Sequence, residues 1–252
     1  MACARPWPLP ADPKARLRLA KRYPFAAPQT AFLFRDGETA PLDDRALSGR
    51  TAVLAHGSNR APEQLARKFA DFGGEASEIP VTHVQLHDHD VVHAAHFAHY
   101  AAVTSALHRV PGCRVRVALT WLTPDQLARM HATEGAYSLR KLADARVEPA
   151  SGPLPAGAVI QLYHHDHGLL SLDGAPIGLA AVAAENRPHH ALDQEAVQAL
   201  VRDRVAPERE LDAFILENQA DTALRREREA RLRNQALPVA DPGEVAVTGS
   251  GQ

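Results

Sequence analysis

The chain has 252 residues, with 28 lysines and arginines against 30 aspartates and glutamates, a pI near 6.7 and 45% hydrophobic residues. That length accommodates one domain with decorations and a sizeable core, and the near-neutral charge gives no electrostatic reason to expect nucleic acid or an anionic membrane as partner. Cys3 and Cys113 make no disulfide framework, the N-terminus has prolines and charges in place of an apolar leader, and no stretch reaches the roughly 20 apolar residues of a spanning helix; a reducing, cytoplasmic setting is expected.

Residues 1–50 are interrupted by prolines. They read as an N-terminal extension packed on the core, with a short helix at 13–22 and a strand at 30–34 whose Phe32 and Phe34 add to that core. The main domain is expected over 51–188. It opens with a short apolar strand at 51–55 and, after His56-Gly57-Ser58-Asn59, a helix in which Leu65, Phe69 and Phe72 recur at i, i+4 and i+7. Pro62 stands near its start and Gly73-Gly74 at its stop.

The glycine between strand and helix permits positive φ and close approach of backbone to a ligand, and successive N–H groups beside a helix N-terminus favour a carboxylate or oxyanion. The loop is therefore a candidate anion cradle. The plainer alternative is a strand-to-helix turn with Ser58 or Asn59 as cap. A nucleophile elbow is excluded, because G-x-S-x-G is absent.

Further strands are expected at 80–86, 90–95, 102–107, 114–121, 143–148, 158–163 and 177–183. The clearest is 114–121, where Val115, Val117, Leu119 and Trp121 alternate with Arg114, Arg116 and Thr120. Many strands broken by a few helices predict an α+β architecture with a mixed or barrel-like sheet of about six to seven strands.

The segment after residue 122 starts a helix: Thr123 as N-cap, Pro124 where a missing N–H costs nothing, and Gln126 closing a capping box. At about 100° per residue, Leu127, Met130, His131 and Glu134 share one face, with Asp125, Gln126, Arg129 and Thr133 mostly away from it. Glu134 is thus placed inward, against apolar surface, where lost hydration would bring it toward the range useful to a general base. Gly135 ends the helix. The alternative is a core-edge glutamate paired with an arginine or capping a backbone group.

Beyond residue 188 the pattern turns helical. Val197, Leu200 and Val201 form a stripe within 193–204, and 207–236 carries Leu211, Phe214 and Ile215, then dense arginine and glutamate. Residues 225–233 read as a solvated helix face, with partner binding as the alternative. Residues 189–237 are accordingly a C-terminal helical extension, and 238–252 a disordered tail.

Histidine is dense at His83, His87, His89, His93, His96 and His99, and again at His164-His165-Asp166-His167. Metal binding is one explanation. Neither H-E-x-x-H nor a Cys/His zinc spacing occurs, the His131–Glu134 pair lacks the second helix a carboxylate-bridged centre needs, and strand alternation scatters neighbouring imidazoles to opposite faces. Surface or core-edge histidines are the other explanation.

Two of these motifs, in this order, resemble the γ-glutamylcyclotransferase-like family. His56-Gly57-Ser58-Asn59 stands where that family has Y-G-S-N at the end of its first strand, and Glu134-Gly135 stands where its E-G pair supplies the catalytic glutamate. The run from His108 to Gly135 is similar to the family's stretch of P-G, strand, helix and E-G. The resemblance covers roughly residues 51–163. It implies a γ-glutamylcyclotransferase-like enzyme that releases 5-oxoproline and an amine or amino acid from a γ-glutamyl amide, with Glu134 as general acid/base. His56, Gly57, Ser58, Asn59 and Tyr137 would contact that small-molecule substrate, with no metal or cofactor. Whether the chain is a monomer or a homodimer is left open.

There are departures. His56 replaces the family's tyrosine, which bears on substrate selectivity more than on a main-chain cradle, and Tyr137 also reads as a packed strand-edge tyrosine. A non-catalytic protein of the same fold that binds small carboxylates is the alternative, and a His-rich metal-binding protein a third.

Overall fold

The computed structural model describes residues 7–134 and 137–240. Helix α1 (Pro13–Lys21) is N-capped by Asp12, whose carboxylate accepts from the N–H groups of Lys14 and Ala15. Strands β1 (Phe32–Arg35) and β2 (Glu38–Pro41) form a hairpin around Asp36 and Gly37, both at positive φ as a two-residue turn requires. Strand β3 (Thr51–Ala55) falls where the sequence predicts it. Helix α2 (Pro62–Lys68) is shorter than predicted: it is capped at Phe69, and Gly73-Gly74 begin a separate 3-10 turn.

The largest departure from the sequence reading is in the centre of the sheet. Four expected strands are two long ones, β4 (Ile79–Phe97) and β5 (Val103–Leu122), paired antiparallel along nearly their whole length. The expected strands leave breaks between residues 86 and 90 and between 107 and 114, around Asp88 and Gly112. Instead these residues build a bulge, with Asp88 and Gly112 at φ 58° and 79°, and the Gly112 N–H donating to Asp88 Oδ1 at 2.7 Å. The register jumps from His87↔Arg114 to His89↔Arg109 and the strands continue.

Helix α3 (Pro124–Thr133) follows, with the predicted capping box present on both sides. Strands β6 (Tyr137–Lys141), β7 (Val147–Ser151) and β8 (Ile160–His165) come next. The strand expected at 143–148 is corrected: β6 precedes it, β7 overlaps only its end, and Asp144 turns the chain between them at φ 51°. The strand expected at 177–183 shrinks to Gly178–Leu179.

The sheet runs Ala191–Leu192, Gly178–Leu179, β4, β5, β3, β8, β6, with β1 and β7 also on β4 and Ala184–Glu185 on β5, eleven strands in all with β2. The β3–β8 pairing is parallel, as is that of Gly178–Leu179 with Ala191–Leu192, and the others are antiparallel. The architecture is thus α+β with a large mixed sheet. Of the mixed or barrel-like sheet of about six to seven strands expected from sequence, the mixed pairing is present but the strands are more numerous and the barrel is absent: among the described residues the end strands do not pair with each other, so the sheet is open.

Helices α4 (Gln194–Val205), α5 (Leu211–Ala220) and α6 (Thr222–Arg233) complete the chain. The single helical run expected over 207–236 breaks at Asp221, which leaves helical geometry and caps α6 through its side chain. Val197, Val201, Phe214, Ile215 and Leu232 pack with Phe97 and Leu170 of the sheet side in one apolar cluster. Each such buried side chain contributes about 1.5–3 kcal/mol. Gln219 joins both ends of the chain to this layer: it accepts from Arg16 Nε at 3.0 Å and donates to the Tyr100 carbonyl at 2.9 Å.

The reading of 225–233 as a solvated face is corrected. Arg228 and Glu229 are buried. Arg228 donates to Asn218 Oδ1 and Glu217 Oε2 and lies over the Phe214 ring, while Glu229 accepts from the Phe97 N–H at 2.9 Å. Among the described residues no helix is long and apolar enough to cross a membrane.

Candidate active site

The end of β3, the end of α3 and the start of β6 converge on a cavity of about 330 Å³. All six residues singled out from sequence line it: His56, Gly57, Ser58, Asn59, Glu134 and Tyr137. Gly135, the expected helix stop, lies outside the described residues.

Glu134 is the C-cap of α3, its N–H donating to the His131 carbonyl at 3.3 Å. Its carboxylate is not set against bare apolar surface, as the sequence reading held. Glu134 Oε1 forms an ion pair with Lys68 Nζ and accepts from Asn59 Nδ2 at 3.0 Å, with only 11% of the Glu134 side chain exposed. The face assignment within α3 also changes: Gln126 is fully buried and His131 exposed. The geometry still joins the two motifs, because Asn59 of the loop holds the acid directly. The other amide atom, Asn59 Oδ1, is buried with no hydrogen-bond partner, so the site has an acceptor waiting for a donor beside the carboxylate.

Lys68 was not found from sequence. Its signal is there: it occupies position i+3 in the stripe of Leu65, Phe69 and Phe72, where a lysine must either snorkel out or find a partner. It packs against Met130 Sδ at 3.4 Å and is 8% exposed.

Ser58–Arg60 makes a single 3-10 turn, leaving its first N–H groups without an internal acceptor. Gly57 is not at positive φ, contrary to the expectation, but at φ −108°, ψ −135°. Its requirement is space. A Cβ there would lie 2.7 Å from Ser105 Oγ and still closer to the Tyr23 hydroxyl. Those groups belong to a buried chain in which Tyr23 Oη meets Ser105 Oγ at 2.7 Å and Ser105 Oγ meets His56 Nδ1 at 3.0 Å. Burial pushes the His56 imidazole down to about 4 and the Tyr23 phenol up to about 12, so both are neutral at pH 7. Tyr23 and Ser105 are cavity residues that sequence reasoning missed, since neither lies near the loop along the chain.

Tyr137, first residue of β6, is paired in register with His165 and packs edge-on against its ring at 5.0 Å. Burial pushes its phenol well up. His165, His96 and His167 cluster behind it at ring separations of 5.3–6.3 Å. Burial holds His96 at about 3 and His165 at about 2, so neither is charged at neutral pH. The remaining strand histidines are spread out, His87 facing Glu148 and His93 the Leu192 carbonyl. Among the described residues no three His, Cys, Asp or Glu side chains are placed to hold a metal ion. The fourth wall comes from α6, through Arg225, Arg226 and Glu229.

No protein-family model matches the chain, and no curated protein sequence matches it. A solved structure described as "Gamma-glutamyl cyclotransferase" aligns over 79% of this chain and 94% of its own, at 11% identity and a TM-score of 0.36. That likeness is too coarse to carry a conclusion about chemistry.

Proposed function

We propose that the protein is a cyclotransferase acting on γ-glutamyl amides, releasing 5-oxoproline and an amine. The observation that carries this reading is the meeting of the two sequence motifs: Glu134, gripped by Asn59, lines the same cavity as the His56–Asn59 loop, next to the unsatisfied Asn59 Oδ1.

The substrate's α-ammonium would donate to Asn59 Oδ1 and pass a proton to the Glu134 carboxylate. The freed amine attacks the γ-carbonyl carbon, a C–N bond forms to close the five-membered ring, and the loop N–H groups take the negative charge on oxygen. Collapse breaks the original amide bond: Glu134 returns the first proton to the departing nitrogen, and the extra proton on the ring nitrogen follows by the same carboxylate, so the products are the neutral lactam and an ammonium. Ring closure is intramolecular, so much of the acceleration comes from holding amine and carbonyl in reach. Lys68, paired with the acid, holds it in place.

Incubation with a panel of γ-glutamyl dipeptides, with 5-oxoproline as the readout, tests the proposal. Product with the wild type and none with Glu134→Gln is expected, and full turnover by that variant would defeat the mechanism. The Lys68 ion pair favours a second reading, a non-catalytic site for small carboxylates, because an acid already neutralised is suited to binding without proton transfer. A thermal shift on adding γ-glutamyl compounds without product would favour that reading.

A further inference from the structure

Helix α6 turns two arginines toward the cavity that the cyclisation chemistry does not use. Arg225 is half-buried and its guanidinium donates to neutral acceptors, the carbonyls of Asn218 at 2.7 Å and His99 at 3.5 Å and the Thr222 hydroxyl at 3.5 Å. Burial pushes its pKa down, opposed in part by the nearby Glu229 and Asp221 carboxylates, while Arg226 is exposed. Among the described residues no carboxylate forms an ion pair with Arg225 or Arg226. Glu229, one turn along, is held by the Phe97 N–H and lies 3.6 Å from Arg233.

The charged side chains lining the cavity are Lys68, Arg225 and Arg226 against Glu134 and Glu229. His56, His96 and His99 add no charge at pH 7, since burial holds them at about 4, 3 and 4. Lys68 and Glu134 cancel at the loop end. The excess positive charge therefore lies at the α6 end. An α-amino acid head group is itself neutral overall, so filling the loop end leaves that excess unmet, and a half-desolvated guanidinium binds a carboxylate more strongly than water would allow.

We propose that Arg225 and Arg226 form a specificity subsite for a carboxylate on the departing amine. The favoured substrate is then a γ-glutamyl amino acid or peptide with a free carboxylate, and γ-glutamyl derivatives of neutral or cationic amines are disfavoured. The identity of the other end of the ligand rests on the cyclotransferase reading; the charge argument holds for binding alone.

The test uses a matched pair, γ-glutamylglycine and γ-glutamylglycinamide, which differ by one charge at nearly constant size. Wild-type protein is expected to prefer the acid by roughly tenfold to a hundredfold in kcat/KM, the scale of one charge-assisted hydrogen bond. The Arg225→Gln/Arg226→Gln double variant should bring the ratio toward one. The Arg225→Lys/Arg226→Lys variant should keep much of it, which separates lost charge from disturbed folding. Equal use of the two compounds by the wild type, or a ratio untouched by the glutamines, overturns the subsite and leaves the cyclotransferase reading standing. If the wild type turns over neither compound, that reading fails, and calorimetric binding of the same pair decides the subsite: preference for the acid supports it, while equal binding or none overturns it.

Discussion

Glu134 and Lys68, 66 residues apart along the chain, meet as a buried ion pair inside the cavity, with side chains 11% and 8% exposed. Taking two charges out of water is costly, and their mutual attraction offsets that only while both are present.

Glu134→Gln should therefore lower stability as well as remove turnover. Stranding the Lys68 ammonium costs about 3–5 kcal/mol by the usual scale for a broken buried pair, and losing the acid lowers kcat by about 10²–10⁴. Adding Lys68→Met should recover most of the stability and none of the activity. Urea unfolding of the two single variants and the double variant measures the coupling, and additive losses would show that the pair is not a unit.

Gly57→Ala introduces a methyl group where Tyr23 Oη and Ser105 Oγ already lie. An expected loss of about 1–3 kcal/mol, typical of overpacking, should accompany displacement of the Tyr23–Ser105–His56 chain. Combining it with Tyr23→Phe and Ser105→Ala removes the obstructing atoms. If thermal denaturation shows no relief in the triple variant, the crowding argument is wrong.

Acid sensitivity follows from the buried imidazoles. His56 and His93 are held at about 4, His96 at about 3 and His165 at about 2, each by burial. The unfolded imidazole takes its proton near pH 6.5, so below that value the unfolded state binds protons the folded state refuses. Stability is full above about pH 6.5 and falls as pH drops toward the folded values, by about 1.4 kcal/mol per pH unit for each such group. The urea midpoint should decline steeply between pH 6.5 and 5, with uptake on unfolding on the order of one proton per imidazole. A flat midpoint across that range would contradict the assigned burial.

Asp90 is fully buried and takes two hydrogen bonds from Arg187, at 2.6 and 2.8 Å, and one from His189 at 2.9 Å. Neither partner lines the cavity. Arg187→Met should cost about 3–5 kcal/mol by leaving a buried carboxylate under-compensated, with KM for any substrate unchanged. A shifted KM would link this fastening to the site.

Local signals carried over well from sequence to structure. The Thr123–Gln126 capping box and the apolar run of β3 are decided by neighbours in the chain, and both stand where the sequence puts them. The breaks expected around Asp88 and Gly112 are absent because residues suited to positive φ serve a bulge as readily as the end of a strand, and only the partner strand decides between them. Lys68, Tyr23, Ser105 and Arg225 escaped for a related reason: each acquires its role from a partner across the fold. The same holds for α6, whose dense charges suggest solvent when read alone and prove to be half turned inward once the sheet beneath is in place.

The cavity has an architectural consequence. Its walls are drawn from Trp7 and Tyr23 near one end of the chain, from the β3 loop and the ends of β4 and α3 in the middle, and from α6 near the other. No contiguous fragment encloses it. A tightly held occupant would act as a clasp, fastening first and last segments to the sheet together and lending its affinity to the entire molecule. Saturation should then slow proteolytic nicking around Trp7 and within α6 in parallel, so that distant cleavage sites report one and the same bound state.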